Sequence, residues 1–125
     1  MAVIYATVGL ENLQSDIVNK LNPVDYTMIL YTAGTPSIGA VLGDFTELVV
    51  SGYTAETMTG ATWTVVDGLA SYPEITFNLL ADAQVKGFAI KRDSVLICSE
   101  DFPTGPFDVP VAGGDISVTF SQNLS

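Results

Sequence analysis

The stretch that most constrains the fold of this chain is VKGFAIKRDSVLICSEDF, residues 85–102, which predicts two strands folded back on each other. The first run places Phe88 and Ile90 on one face. The second run, Val95 to Ser99, is apolar on both faces, which is typical of a strand buried between two layers. Because the turn from Lys91 to Ser94 is mostly charged, we expect the tip of this hairpin to face water.

Beyond Pro23, apolar and polar residues alternate with the period of two expected of strands. Three long strands are predicted. In the first, Val24, Tyr26, Met28 and Leu30 alternate with Asp25, Thr27, Ile29 and Tyr31. Inward-facing side chains are predicted for the other two: Ile75, Phe77 and Leu79, and then Ile116, Val118 and Phe120. Shorter strands are expected near Val49, from Tyr53 to Met58 and from Thr62 to Val66. About eight strands with frequent turn signals predict an all-β fold, an antiparallel β-sandwich of jelly-roll type. An immunoglobulin-like sandwich is the alternative.

One short amphipathic helix is predicted ahead of the strands. Its apolar stripe consists of Leu10, Leu13, Ile17, Val18 and Leu21. Asn22 and Pro23 end it. The helix either caps an open end of the sandwich core or docks on a neighbouring subunit. We therefore expect a single domain over residues 1–125, with an N-terminal arm and helix over 1–23 and the sandwich over 24–121.

Composition and charge narrow the classes of function. The chain has 14 Asp and Glu against 4 Lys and Arg, a net charge of −10, so its surface would repel nucleic acid and anionic membranes. No apolar run approaches the roughly 20 residues that span a bilayer, and the first residues lack the basic segment of a signal peptide. We expect a soluble, unprocessed protein without a nucleic-acid or membrane partner.

No sequence motif points to catalysis or to a cofactor. The chain lacks His, which removes imidazole bases and the usual zinc sites, and it lacks a GxxxxGK phosphate loop. Two carboxylate pairs, Asp44 with Glu47 and Glu100 with Asp101, could act as acid and base or bind calcium, or could simply lie on the solvated surface. Cys98, the only cysteine, is expected to be a buried small hydrophobe.

Three aromatic residues leave another class of function open. Trp63, Tyr53 and Tyr72 could line a carbohydrate-binding face, although aromatic residues of sandwich strands more often belong to the core. We predict that the protein is not an enzyme and has no catalytic, cofactor-binding or metal-binding residues.

Two loops are too apolar to be well solvated. The segment from Ala33 to Gly43, AGTPSIGAVLG, carries no charge, and the segment from Phe102 to Gly114 is rich in Pro and Gly. Such loops are expected to be covered where subunits meet. The interface residues predicted from them are Ile38, Val41, Leu42, Phe107 and Val109.

The order of several short segments resembles a known protein family. MILYTAGTP, DFTE, SGY, GFAI, VLICSEDF and the closing ISVTFSQNLS follow one another along most of the chain. They are similar to LYTNxxTP, DFTEAxFxGY, YGYYVTD, LLWAERF and TITPTLTL in a family of small proteins encoded among the virion genes of tailed bacteriophages. The chain departs from that family at Cys98, where the family tends to have Trp, and at the turn from Lys91 to Ser94, which lacks the usual Gly.

The resemblance implies a structural component of the phage particle, a capsid cement or decoration protein that stabilises contacts between capsid subunits. Its implied partner is the major capsid protein, and a homotrimer would match the threefold junctions of capsid lattices. The implied location is the capsid surface, after synthesis in the host cytoplasm. The alternatives are a tail- or fibre-associated virion protein and a carbohydrate-binding β-sandwich module.

Overall fold

The chain forms antiparallel β-sheets throughout the part that the computed structural model describes, which is residues 4–5, 25–59, 64–66, 69–103 and 105–123. The only helical segment within these ranges is a single 3-10 turn, Leu42–Asp44. The all-β class predicted from the sequence is therefore confirmed. The predicted helix, whose stripe runs from Leu10 to Leu21, lies outside the described residues.

Eleven strands occur in the described ranges, more than the eight predicted, because several consist of only two or three residues. In chain order they are β1 (Ile4–Tyr5), β2 (Tyr26–Ala33), β3 (Thr46–Glu47), β4 (Glu56–Met58), β5 (Thr64–Val66), β6 (Leu69–Leu79), β7 (Ala83–Val85), β8 (Gly87–Arg92), β9 (Val95–Asp101), β10 (Phe107–Val109) and β11 (Gly114–Asn123).

The strands are arranged in three sheets. The largest has the order β1-β9-β8-β2-β3, with β4 also paired to β2, and the others are β11-β6-β5 and β10-β7. The predicted hairpin is present as β8 and β9, which pair from Gly87 with Asp101 to Arg92 with Val95. Asp93 in its turn has a left-handed φ of 54°, a conformation that the short polar side chain of Asp tolerates better than most.

The main core contains residues from both of the larger sheets. Alternation of side chains along the strands places most of them there, and the inward faces predicted for β6 and β11 are confirmed. The buried members of the main core are Tyr26, Met28, Leu30, Leu48, Met58, Ile75, Phe77, Leu79, Val85, Phe88, Ile90, Ile97, Cys98, Val109, Ile116, Val118 and Phe120. The intervening residues of β6 and β11, such as Thr76, Asn78 and Ser117, are exposed.

A second cluster of buried residues covers the opposite face of β2, β8 and β9. It consists of Ile29, Tyr31, Ala40, Phe45, Ala89 and Leu96, with Leu42 packed against it. Three of these residues, Ala40, Leu42 and Phe45, belong to residues 34–45, here called the outer loop. The central strands are therefore buried on both faces, as the apolar run of β9 predicted.

Several predicted strand boundaries are wrong. Val49 is 94% exposed and lies beyond β3, and the strand expected from Tyr53 begins only at Glu56. The segment from Phe102 to Gly114, expected to be a loop, contains β10, which pairs with β7. In contrast, β6 is longer than predicted and tolerates Pro73 because the register with β11 shifts between Val118 and Phe120.

Candidate interaction surface

The outer loop presents two aliphatic side chains to solvent. Ile38 is 70% exposed and Val41 is 60% exposed, although neighbouring Ala40 is buried in the second cluster. Leu42, also predicted at an interface, is only partly buried and packs on the second cluster. Ala40, Leu42 and Phe45 of the outer loop therefore pack against the domain. Ile38 and Val41 are exposed to solvent.

The other two predicted interface residues differ from each other. Phe107, at the start of β10, is 46% exposed, whereas Val109 at the end of the same strand is 4% exposed and belongs to the main core. Alternation puts Phe107 and Val109 on the same face of β10, so the strand geometry alone does not separate them. Val109, which pairs with Ala83, reaches the main core, whereas Phe107 at the start of the strand stays partly exposed. Val109 is therefore corrected from an interface residue to a core residue.

Polar contacts hold the first part of the outer loop against the sheet. The Lys86 Nζ donates to the backbone carbonyl of Gly34, and it lies 3.7 Å from Oδ2 of Asp101. Gly34 has φ 126°, and a Cβ there would lie 2.5 Å from the ring of Phe45, so only glycine fits. These contacts fix where the outer loop leaves β2.

The second part of the outer loop is held by its own turn and by an aromatic contact. The backbone N–H of Val41 donates to Oδ2 of Asp44 at 3.0 Å, and Phe45 N–H donates to the carbonyl of Leu42 at 3.1 Å. The ring of Phe45 packs edge-on against Tyr31 with centroids 4.8 Å apart. Because both ends are anchored, the exposed side chains of Ile38 and Val41 are carried on a defined backbone.

Tyr31 links the outer loop to the hairpin formed by β8 and β9. Its hydroxyl donates to Oδ1 of Asp101 at 2.6 Å, a hydrogen bond between residues 70 positions apart in sequence. Burial, together with this bond to a carboxylate, raises the pKa of Tyr31 well above its ordinary value. A side chain at Gly87 would come within 2.6 Å of the Tyr31 hydroxyl, so the absence of a Cβ there makes room for the phenol.

Tyr53 joins separate segments through its hydroxyl on the main-core face, as Tyr31 does on the opposite face. Its hydroxyl accepts from the backbone N–H of Leu30 at 3.2 Å and donates to Oε2 of Glu47 at 2.6 Å. Its ring stacks on Phe77 with centroids 6.0 Å apart. Tyr72 accepts from the backbone N–H of Thr59 at 2.9 Å. Of the three aromatic residues that left a sugar-binding face open, Tyr53 is thus tied to the core, and Trp63 lies outside the described residues.

The carboxylates of the two pairs considered from the sequence have separate partners. Asp44 binds the outer loop and Glu47 binds Tyr53, whereas Asp101 binds Tyr31 and Lys86. Glu100 lies directly opposite Phe88 on β8, and partial burial raises the pKa of its carboxyl. The described residues contain no group of three His, Cys, Asp or Glu side chains placed to hold a metal ion.

Cys98 lies in the main core with no exposed surface, as predicted. Burial raises the pKa of its thiol far above the ordinary value, which keeps it in the protonated, poorly nucleophilic form. A β-bulge between Ile90 and Lys91 of the hairpin pairing leaves Ile97 without a partner on β8. Ile97 and Cys98, although consecutive, therefore both contribute to the main core.

Two shallow clefts lie on either side of Phe102 and Pro103. One, of about 220 Å³, is also lined by Lys86, Asp101 and Pro106. The other, of about 210 Å³, is bordered by Phe107, Asp115, Ile116 and Ser117. Both are open and mostly apolar, and they continue the exposed surface around Phe107.

Four further aliphatic residues are exposed and were not predicted to be: Val49, Leu80, Val95 and Val111. Val49, Leu80 and Val95 each adjoin another apolar residue, so no periodic pattern in the sequence marks them as exposed. For Leu80 and Val111 the available signal was their position, just after the end of β6 and just after Pro110, which favours exposure.

No family model, curated protein or solved structure matches this chain. Within the ranges that the structure describes, no helix has the length and apolar character needed to span a membrane.

Proposed function

We propose that this protein is a non-enzymatic structural component of a tailed-bacteriophage particle, a cement or decoration protein bound to the major capsid protein on the capsid surface. The observation that carries this proposal is the outer loop, which is anchored at both ends and yet exposes Ile38 and Val41. The resemblance of the segment order to a family of phage virion proteins supports the same role.

An anchored loop with exposed aliphatic side chains is well suited to binding another protein. The loop does not need to be ordered on binding, so little conformational entropy is lost when Ile38 and Val41 become buried. Phe107 and the clefts beside Phe102 supply a second apolar area with the aromatic character common in interface cores. These features favour binding over chemistry.

The fold proposed for this role is a jelly-roll-like β-sandwich. Its support is the main core, in which residues of β2, β8 and β9 pack with residues of β6 and β11. An experimental structure of the purified protein would test this proposal. Two sheets closed in jelly-roll order are expected, and an immunoglobulin-like strand order would overturn it.

The proposed assembly is a homotrimer. Capsid lattices contain threefold and quasi-threefold junctions, and a ring of three copies matches such a site. The mass of the purified protein in solution, measured by light scattering, tests this step. Three times the chain mass of 13.2 kDa is expected, and a monomer both in solution and on particles would contradict it.

The binding role is tested by adding purified protein to particles that lack it. Ile38→Asp and Val41→Asp should each weaken attachment at least about tenfold, because a charge would be buried in an apolar contact. Val95→Asp is the matched control, since Val95 is 41% exposed beside the hairpin turn and belongs to neither buried cluster.

Attachment of the wild-type protein should survive high salt, because apolar contacts are not screened. Full binding by both variants in the outer loop would overturn the proposed contact. A protein found only on the tail would overturn the capsid role and favour a tail-associated virion protein.

A further inference from the structure

Three segments that connect strands lie side by side, and each carries an exposed aliphatic side chain. Val49 is 94% exposed, Leu80 is 64% exposed and Val111 is 80% exposed. These three residues are here called the end patch. None of them belongs to the main core or to the second cluster, so their apolar character serves neither.

Backbone contacts hold the three segments side by side. The N–H of Leu80 donates to the carbonyl of Ser51 at 2.8 Å, and a Cβ on Gly52 would lie 2.6 Å from Cγ of Leu80. On the other side, a Cβ on Gly113 would lie 3.1 Å from Cα of Leu80. The turn before Gly113 is closed by a hydrogen bond from its N–H to the carbonyl of Pro110 at 2.8 Å. The end patch is thus carried on closely packed backbone.

The chain segments that carry the end patch are acidic. Residues 45–53, 79–85 and 107–117, which contain the three segments, include four carboxylates and no Lys or Arg. The four are Glu47, Asp82, Asp108 and Asp115, and all are exposed. Lys86, the next cation along the chain, is already paired with Asp101.

This charge distribution decides between two kinds of partner. A contact between two copies through the end patch would bring two sets of four carboxylates together, and like charges facing each other across an interface disfavour binding. A partner that carries Lys and Arg around an apolar surface would instead be attracted to the four carboxylates. Its apolar surface would bury the three aliphatic side chains.

We propose that the end patch is a docking face for a basic protein surface and not a contact between copies of this chain. The inference rests on the proposed function, in which the basic surface belongs to the capsid shell. It assigns Val49, Leu80 and Val111 to the centre of the contact and the exposed carboxylates to its rim.

The test uses purified full-length protein and particles that lack it. The double variant Val49→Asp/Val111→Asp should bind at least about tenfold more weakly than wild type, and its mass by light scattering should not change. Val95→Asp, which places the same charge beside the hairpin turn, should bind as wild type does. Thermal unfolding of each variant establishes that it remains folded.

A second variant, Asp82→Asn/Asp115→Asn, tests the rim. It should slow association with particles at low salt and leave dissociation unchanged, because rim charges act mainly on the rate of encounter. Raising the salt concentration should slow association of the wild-type protein toward that of the variant.

Each outcome bears on a different step. If wild-type protein binds and the double valine variant binds equally well, or if that variant changes the oligomeric state, the inference is overturned and the proposed function stands. Faster association by the Asn variant would overturn the basic character of the partner. If wild-type protein does not bind particles at all, the proposed function is overturned and the inference with it.

Discussion

The two faces of β2, β8 and β9 are both buried, but they are covered in different ways. On the main-core face, side chains of these strands meet the alternating apolar residues of β6 and β11. On the opposite face, the cover in the described part of the chain is the outer loop, which contributes only Ala40, Leu42 and Phe45. One face is covered by regular structure and the other by a loop.

The two faces differ in the kind of interaction that holds their cover in place. Strand alternation fills the main core with many side chains, so no single polar contact decides it. The second cluster depends on a few specific contacts, such as Lys86 with Gly34 and Tyr31 with Asp101. We therefore expect mutations of the main core to affect global stability and mutations around the second cluster to affect mainly the outer loop.

The largest effect is expected for Phe77→Ala in the main core. Phe77 is 2% exposed, and its removal would leave a cavity between rigid strands, so the free energy of unfolding should fall by about 3 to 5 kcal/mol. Thr76→Ala, on the exposed face of the same strand, should cost less than about 1 kcal/mol through its contact with Ser117. Urea unfolding measures both, and equal losses would contradict the assignment of faces.

A smaller effect is expected for Phe45→Ala in the second cluster. Phe45 is 8% exposed, but the outer loop can collapse into the space it leaves more easily than a strand can, so we expect a loss of about 1 to 3 kcal/mol. Hydrogen exchange should quicken in the outer loop and stay slow in β6 and β11. If exchange became equally faster in the outer loop, β6 and β11, the second cluster and the main core would not be separable units of stability.

Tyr31→Phe should have a more modest effect. It removes the hydroxyl that donates to Asp101 and leaves the ring contact with Phe45 in place, so we expect a loss of about 1 to 2 kcal/mol. If the bond anchors the outer loop to the hairpin, the variant should also bind particles more weakly. Unchanged thermal stability would mean that Lys86 alone suffices to hold Asp101 in place.

The smallest effect is expected for Glu100→Gln, and it should depend on pH. The folded pKa of Glu100 is raised above its ordinary value of 4.5, so this group contributes stability that is present below pH 4.5 and lost as pH rises through the folded value. The variant should therefore melt at a slightly higher temperature than wild type at pH 7, with the difference vanishing in acid. A lower melting temperature at pH 7 would indicate that the ionised carboxylate is stabilising.

Some of the candidate surface could be predicted and some could not. The interface role of Ile38 and Val41, which rested on their uncharged loop, stays a prediction, although both side chains are exposed; the burial of Cys98 followed from its apolar strand. Val109 was misplaced because its burial depends on β7, a partner strand that no local pattern indicated. The end patch was missed for the same reason, since its three residues come together only through contacts between separate segments.

The sequence by itself determined the all-β class, the β8–β9 hairpin and the inward faces of β6 and β11. These follow from alternation, which depends on neighbouring residues and the geometry of a single strand. Tertiary structure alone decided the pairing of β7 with β10, the bulge that turns both Ile97 and Cys98 into the main core, and the anchoring of the outer loop. These features depend on which distant segments meet, and that is selected by the packing of the whole domain and not by any local period.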